Sequence, residues 1–105
     1  MLQMESIGLK LRQLRETKGL LLRQVAASVD LDTTLLSKIE RSERFPTKEQ
    51  TLNLAKFYNV KESEFLIALF SDRIVEELKK EELALEIMSE AKRKIDLCQS
   101  NPKKI

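Results

Sequence analysis

The sequence predicts an all-α protein: five short helices followed by one long C-terminal amphipathic helix. Three observations carry that reading. Gly and Pro occur only twice each in 105 residues, which leaves few turns and favours helices joined by short loops. Apolar residues recur at helical spacing along most of the chain. Asp32 and Thr47, both good N-cap residues, stand immediately before two of the periodic runs.

The elements follow in order. Ile7, Leu11 and Leu14 share one face of a first helix that ends at Lys18-Gly19, where Gly19 can take φ > 0. A second helix covers 21–29, with Leu22, Val25, Ala26 and Val29 on one face. Asp30 interrupts it, and Asp32 caps a third helix whose inner face is Leu36 and Ile39. Residues 42–46 form a loop. Thr47 caps a fourth helix, and Gln50 three residues later completes a capping box. Leu54, Ala55 and Tyr58 make its inner face, and Asn59 is its left-handed terminator. A fifth helix over 62–70 buries Phe65, Leu66 and Leu69. Residues 72–99 contain no Gly or Pro and read as one helix of up to ~40 Å. Its stripe is Ile74, Leu78, Leu85, Met88 and Ile95, with Ala84, Ile87, Ala91 and Cys98 beside it. The charges clustered at 80–82 mark where it could break. The expected organisation is a folded domain over 1–70, a C-terminal helix over 71–99 and a disordered tail over 100–105.

Composition excludes several kinds of chemistry. There is no His and one Cys, so Cys/His zinc sites and Ser-His-Asp or Cys-His nucleophiles cannot be built. A lone Cys forms no internal disulfide, and no stretch approaches the roughly 18–20 apolar residues of a membrane span. The N-terminus lacks the basic start and apolar run of a signal peptide. The expectation is a cytoplasmic protein with no membrane partner, no metal, no cofactor and no enzymatic activity. Charge is more telling. Residues 8–48 carry nine basic and five acidic side chains, a net of +4, whereas residues 71–105 carry eight of each. The first half therefore holds the positive field.

The second and third helices are joined by a very short turn, Asp30-Leu31. Two helices crossing steeply need a small residue at the crossing, which Ala26 supplies. They also need a turn residue that tolerates φ > 0, which Asp30 can be. Leu31 plugs the gap, and Leu36 and Ile39 anchor the third helix on Val25 and Val29. That is a helix-turn-helix, whose second helix enters the major groove of DNA. On the side opposite Leu36 and Ile39 stand Thr33, Thr34, Ser37 and Lys38. Their hydroxyls can donate or accept, a Thr methyl can meet a thymine methyl, and an ammonium can donate to guanine O6 and N7.

The stretch 8–60, carried by the segments IGLKLRQLRETKGL (which begins at Ile7), VAASVDLDTTLLSKIERSERFP and LNLAKFYNV, resembles the phage repressor/Cro (Xre-type) helix-turn-helix family. The resemblance implies a five-helix repressor-like domain and roles for particular residues. Arg15 and Glu40 match a partly buried salt bridge that ties the reading helix to the scaffold. Thr33, Thr34, Ser37 and Lys38 match base-reading positions. Arg41, Arg44, Thr47 and Lys48 match phosphate contacts. Where the family has Ser-Gln at the start of the second helix, this chain has Leu21-Leu22, losing a cap and a phosphate contact for which Lys18 or Arg23 would compensate. Asp30, Ser42 and Asn59 replace usual glycines.

The implied function is a transcriptional regulator binding double-stranded DNA at an operator. A helix with an apolar stripe cannot cover it alone. Homodimerisation is expected through Phe65, Leu69, Phe70, Ile74, Leu78, Leu85, Met88 and Ile95. Back-packing on the domain, or capture of a second protein as in an antitoxin-type regulator, are the alternatives.

Overall fold

A computed structural model describes residues 6–100 of the protein, and among these the regular structure is six helices. The first, α1 (Ile7–Thr17), is fixed at its start by two side chains. Ser6 Oγ accepts from the Leu9 N–H at 3.0 Å, and Asp72 Oδ2 accepts from the Ile7 N–H at 2.7 Å. A carboxylate at that end also complements the helix dipole. Gly8 lies where α1 meets the end of the third helix, and a Cβ there would run into the carbonyl oxygen of Ile39. At the other end Gly19 takes φ 67° and turns the chain into α2 (Leu22–Ser28).

The next helices are α3 (Thr33–Glu40) and α4 (Lys48–Tyr58). Thr47 and Gln50 form the expected capping box: Thr47 Oγ1 accepts from Gln50 N at 3.0 Å, and Gln50 Oε1 accepts from Thr47 N at 2.9 Å. Three turns use left-handed residues other than glycine, Asp30 (φ 57°), Ser42 (φ 62°) and Asn59 (φ 55°). These are the three positions where glycine was replaced.

The fifth helix, α5 (Glu62–Leu78), is longer than expected. Nothing between Phe70 and Asp72 breaks it, and the Ser71 hydroxyl donates back to the Ile67 carbonyl at 2.6 Å. The interruption falls instead at residues 79–83, where i to i−3 bonds replace the helical ladder: Glu81 N to Leu78 O at 2.9 Å and Ala84 N to Glu81 O at 3.3 Å. Consecutive like charges, Lys79-Lys80 and Glu81-Glu82, crowd that segment. The expected single long helix is therefore the end of α5 plus α6 (Ala84–Ser100). Ser100 is helical rather than part of a tail, and its hydroxyl bonds the Asp96 carbonyl at 2.7 Å. The remaining tail, 101–105, lies outside the described residues.

The chain divides into two compact units between Ile74 and Val75. In the first, Leu11, Val25, Leu36, Ile39, Leu54, Ala55, Phe65 and Leu69 are all 1% exposed or less and belong to one apolar cluster. The buried Thr51 is satisfied by donating to the Thr47 carbonyl at 2.8 Å. Phe65 and Leu69 are thus consumed by the domain's own core and are withdrawn from the expected dimer surface. Phe70 and Ile74, each 42% exposed, are on the outer side of α5. In the second unit no residue of α6 is buried. Among the described residues no helix is long and apolar enough to cross a membrane.

Candidate nucleic-acid interface

The turn between α2 and α3 is built as the side chains require. Ala26 is buried at the crossing, Asp30 takes the left-handed conformation, and Leu31 N donates to the Ala26 carbonyl at 2.8 Å. Asp32 Oδ2 then caps α3 by accepting from Leu35 N at 3.3 Å. α3 packs on both α1 and α2.

This packing gives α3 two unlike faces. Leu36, Ile39 and Glu40 are buried, while Thr33, Thr34 and Lys38 are exposed and Ser37 is half-buried. At ~100° per residue the four polar side chains fall within one outward sector, and Arg41, one turn beyond Ser37, falls in the same sector. Arg41 is the C-cap residue of α3 and is exposed. Its Nε bonds the Ser37 carbonyl at 3.3 Å and pairs with Glu43 Oε2 at 3.1 Å.

The inward face carries one ion pair. Arg15 Nε donates to both Glu40 carboxylate oxygens, at 3.1 and 2.9 Å, and Arg15 Nη1 donates to the Leu20 carbonyl at 3.0 Å. One guanidinium thus joins α1, the α1–α2 corner and the end of α3. The side chains are 16% and 4% exposed, so the pair is shielded from salt and water. Its hydrogen bond to Glu40 raises the Arg15 pKa, so its charge is permanent. Tyr58 is buried nearby, edge-on to Phe57 with centroids 4.9 Å apart, and its hydroxyl has no hydrogen-bond partner among the described residues. Burial, reinforced by the Glu40 charge, pushes its pKa up to about 12.

The other basic candidates fall into two groups. Arg41, Arg44, Thr47 and Lys48 run through the α3–α4 corner, all exposed. The Thr47 oxygen is occupied as a cap acceptor and keeps only its hydroxyl proton for a ligand. Lys18 and Arg23, also exposed, belong to the α1–α2 corner. There Leu21 is the N-cap and offers no side-chain bond, but Gln24 Oε1 accepts from Leu21 N at 2.8 Å. Half of a capping box therefore survives the loss of the usual Ser. Sequence reasoning missed this, although Gln three residues after the cap was its signal. It also missed Asp72 as a cap on α1, for which no local signal exists.

A family model for the helix-turn-helix domain matches residues 6–66, more than half of the chain. Among solved structures, the clp gene regulator ClgR from Corynebacterium glutamicum is similar, at 23% identity and a TM-score of 0.54, over 91% of this chain and 90% of that one. No curated protein matches the sequence. With the two-helix turn, its buried anchor and the family match in agreement, the chain belongs to the helix-turn-helix domain family.

Proposed function

We propose that the protein is a sequence-specific regulator of transcription of the phage repressor/Cro type, binding double-stranded DNA as a homodimer and catalysing no reaction. One observation carries the reading: α3 buries Leu36, Ile39 and Glu40 while presenting Thr33, Thr34 and Lys38 outward beside Ser37. Short polar side chains let a helix approach base edges closely in the major groove. The buried Arg15–Glu40 pair, one Nε–H shared between both carboxylate oxygens, holds that helix in place, and the exposed cations Arg44 and Lys48 are suited to the flanking phosphates.

The dimer rests on α6. Ala84, Met88, Ala91, Ile95 and Cys98 recur at alternating four- and three-residue spacing, the pattern of a helix–helix seam. Met88 is 39% and Ile95 52% exposed, and Leu85 beside them is 80% exposed. A two-fold dimer doubles the contacts to a two-fold site. The same seam would suit a partner protein in an antitoxin-type regulator.

Selection of bound sites from random duplex DNA tests the reading. The expected product is a two-fold symmetric sequence. Thr34→Ala and Lys38→Ala should each weaken binding to it by about 1–3 kcal/mol with the melting temperature unchanged. Discrimination between selected and random DNA unchanged from wild type in both variants would overturn the reading helix. Light scattering should give twice the 12.2 kDa chain mass; a monomer would favour the second reading.

A further inference from the structure

Arg41 and Glu43 are not explained by a reading in which every exposed cation near α3 grips phosphate. Arg41 falls in the outward sector of α3, with Thr34, Ser37 and Lys38, rather than at its edge. Its Nε donates to the Ser37 carbonyl at 3.3 Å and lies 3.1 Å from the Glu43 carboxylate as an ion pair. Both side chains of the ion pair are 53% exposed, so water and a DNA ligand can both reach them. Both contacts are made through Nε rather than through the terminal nitrogens of the guanidinium. A carboxylate two residues along the chain has no use in a phosphate anchor, because it repels the group being bound.

We infer that Glu43 is a specificity-determining residue: it latches Arg41 onto the base-reading face and prevents it from serving as a sequence-independent phosphate anchor. The inference rests on the DNA-reading role of α3 proposed above. With Glu43 in place, Arg41 contributes little to random DNA, where a phosphate must compete with a carboxylate already in contact. At a matching site the terminal nitrogens meet guanine O6 and N7, the commonest bidentate partner of Arg, while Nε keeps its pair. The latch lowers non-specific affinity and leaves specific affinity largely intact.

The test is a four-protein cycle, wild type, Glu43→Gln, Arg41→Ala and the double variant, measured on random duplex and on the selected site across a range of salt. Glu43→Gln should tighten binding to random duplex by about three- to tenfold at low salt. It should steepen the dependence of log affinity on log salt by about one, the signature of one added phosphate contact. Binding to the selected site should gain less, so discrimination falls. In the Arg41→Ala background the same substitution should leave the slope unchanged. Equal effects of Glu43→Gln in both backgrounds would overturn the latch, since Glu43 would then act by its own repulsion. A loss of about one from the slope on both DNAs in Arg41→Ala would also overturn it, by making Arg41 a phosphate anchor in the native protein. Thr34→Ala, run in parallel, reports on the reading helix itself: unaltered discrimination there defeats the DNA-reading role, whereas lowered discrimination with a failed cycle defeats only the latch.

Discussion

The helices of the first unit and α6 have the same amphipathic grammar, yet opposite fates. In α3 the apolar stripe of Leu36 and Ile39 is at most 1% exposed, whereas in α6 the stripe leaves Leu85 80% and Ile95 52% exposed. The same contrast holds for charge. Arg15–Glu40 is a nearly dry pair, whereas Arg93–Glu90 and Lys92–Asp96 are pairs between largely exposed side chains. Periodicity alone therefore tells which side chains seek cover but not what covers them. The first unit finds cover within itself, whereas no residue of α6 is buried.

Truncating a leucine in α3 and a leucine in α6 separates the two fates. Leu36→Ala removes a side chain at 0% exposure and should lower stability by about 2–5 kcal/mol. Leu85→Ala should leave the thermal midpoint of the first unit unaltered and weaken self-association instead. Paired thermal melts and sedimentation measure both; equal destabilisation by the two would place Leu85 in the same core. Removing residues 79–105 goes further. The cut keeps Asp72, whose carboxylate caps α1, so the shortened chain should melt near the full-length temperature, be monomeric and bind a two-fold site at least tenfold more weakly. A truncated chain that stays dimeric would move the interface to the exposed Phe70 and Ile74.

Much of the first unit was legible because its signals are local. Gly19, Asp30, Asn59, the Asp32 cap and the Thr47–Gln50 box each declare themselves within a few residues. The helical face of Thr33, Thr34, Ser37 and Lys38 follows from the positions of Leu36 and Ile39. What was not legible depends on contacts across the chain. Phe65 and Leu69 share the apolar period of Phe70 and Ile74, so only packing decides that the first two are core and the last two surface. Asp72 reads as a helix-start residue until the fold brings it to Ile7, 65 positions away in sequence. The break at 79–83 is the exception: its cause, charge crowding, is local, and the charges at 80–82 marked its place. The Arg41–Glu43 pair is local and could have been found, yet its meaning needed the orientation of α3.

The two kinds of ion pair should also respond differently to loss of a carboxylate. Glu40→Ala leaves the Arg15 guanidinium without its carboxylate in a site only 16% exposed. The loss should be about 1–3 kcal/mol, read as a lowered denaturant midpoint. DNA binding should weaken further, because α3 loses its tie to α1. Glu90→Ala removes the partner of Arg93 on the exposed surface of α6 and should leave the midpoint where it was. Equal shifts would mean that burial does not separate the two pairs.

The smallest expected effect at neutral pH concerns Tyr58, which ties alkaline sensitivity to the first unit alone. Its buried hydroxyl has no hydrogen-bond partner among the described residues, and its pKa lies at about 12 in the folded protein, against 10.0 for an ordinary tyrosine. A raised folded pKa means that the protonated form is favoured by folding. Nothing is lost below the unfolded value. As pH rises from 10 towards 12 the unfolded chain releases this proton while the folded chain retains it, so stability falls across that window. A shift of that size corresponds to about 1–3 kcal/mol at the alkaline end. Tyr58→Phe removes the titrating group and also an unpaired buried hydroxyl, so at pH 7 it should be neutral or stabilising by less than about 1 kcal/mol. The difference in melting temperature between Tyr58→Phe and wild type, followed from pH 7 to 12, should therefore stay flat to about pH 10 and then widen in favour of the variant. Parallel curves over the whole range would show that Tyr58 ionises as readily in the folded unit as in the unfolded chain.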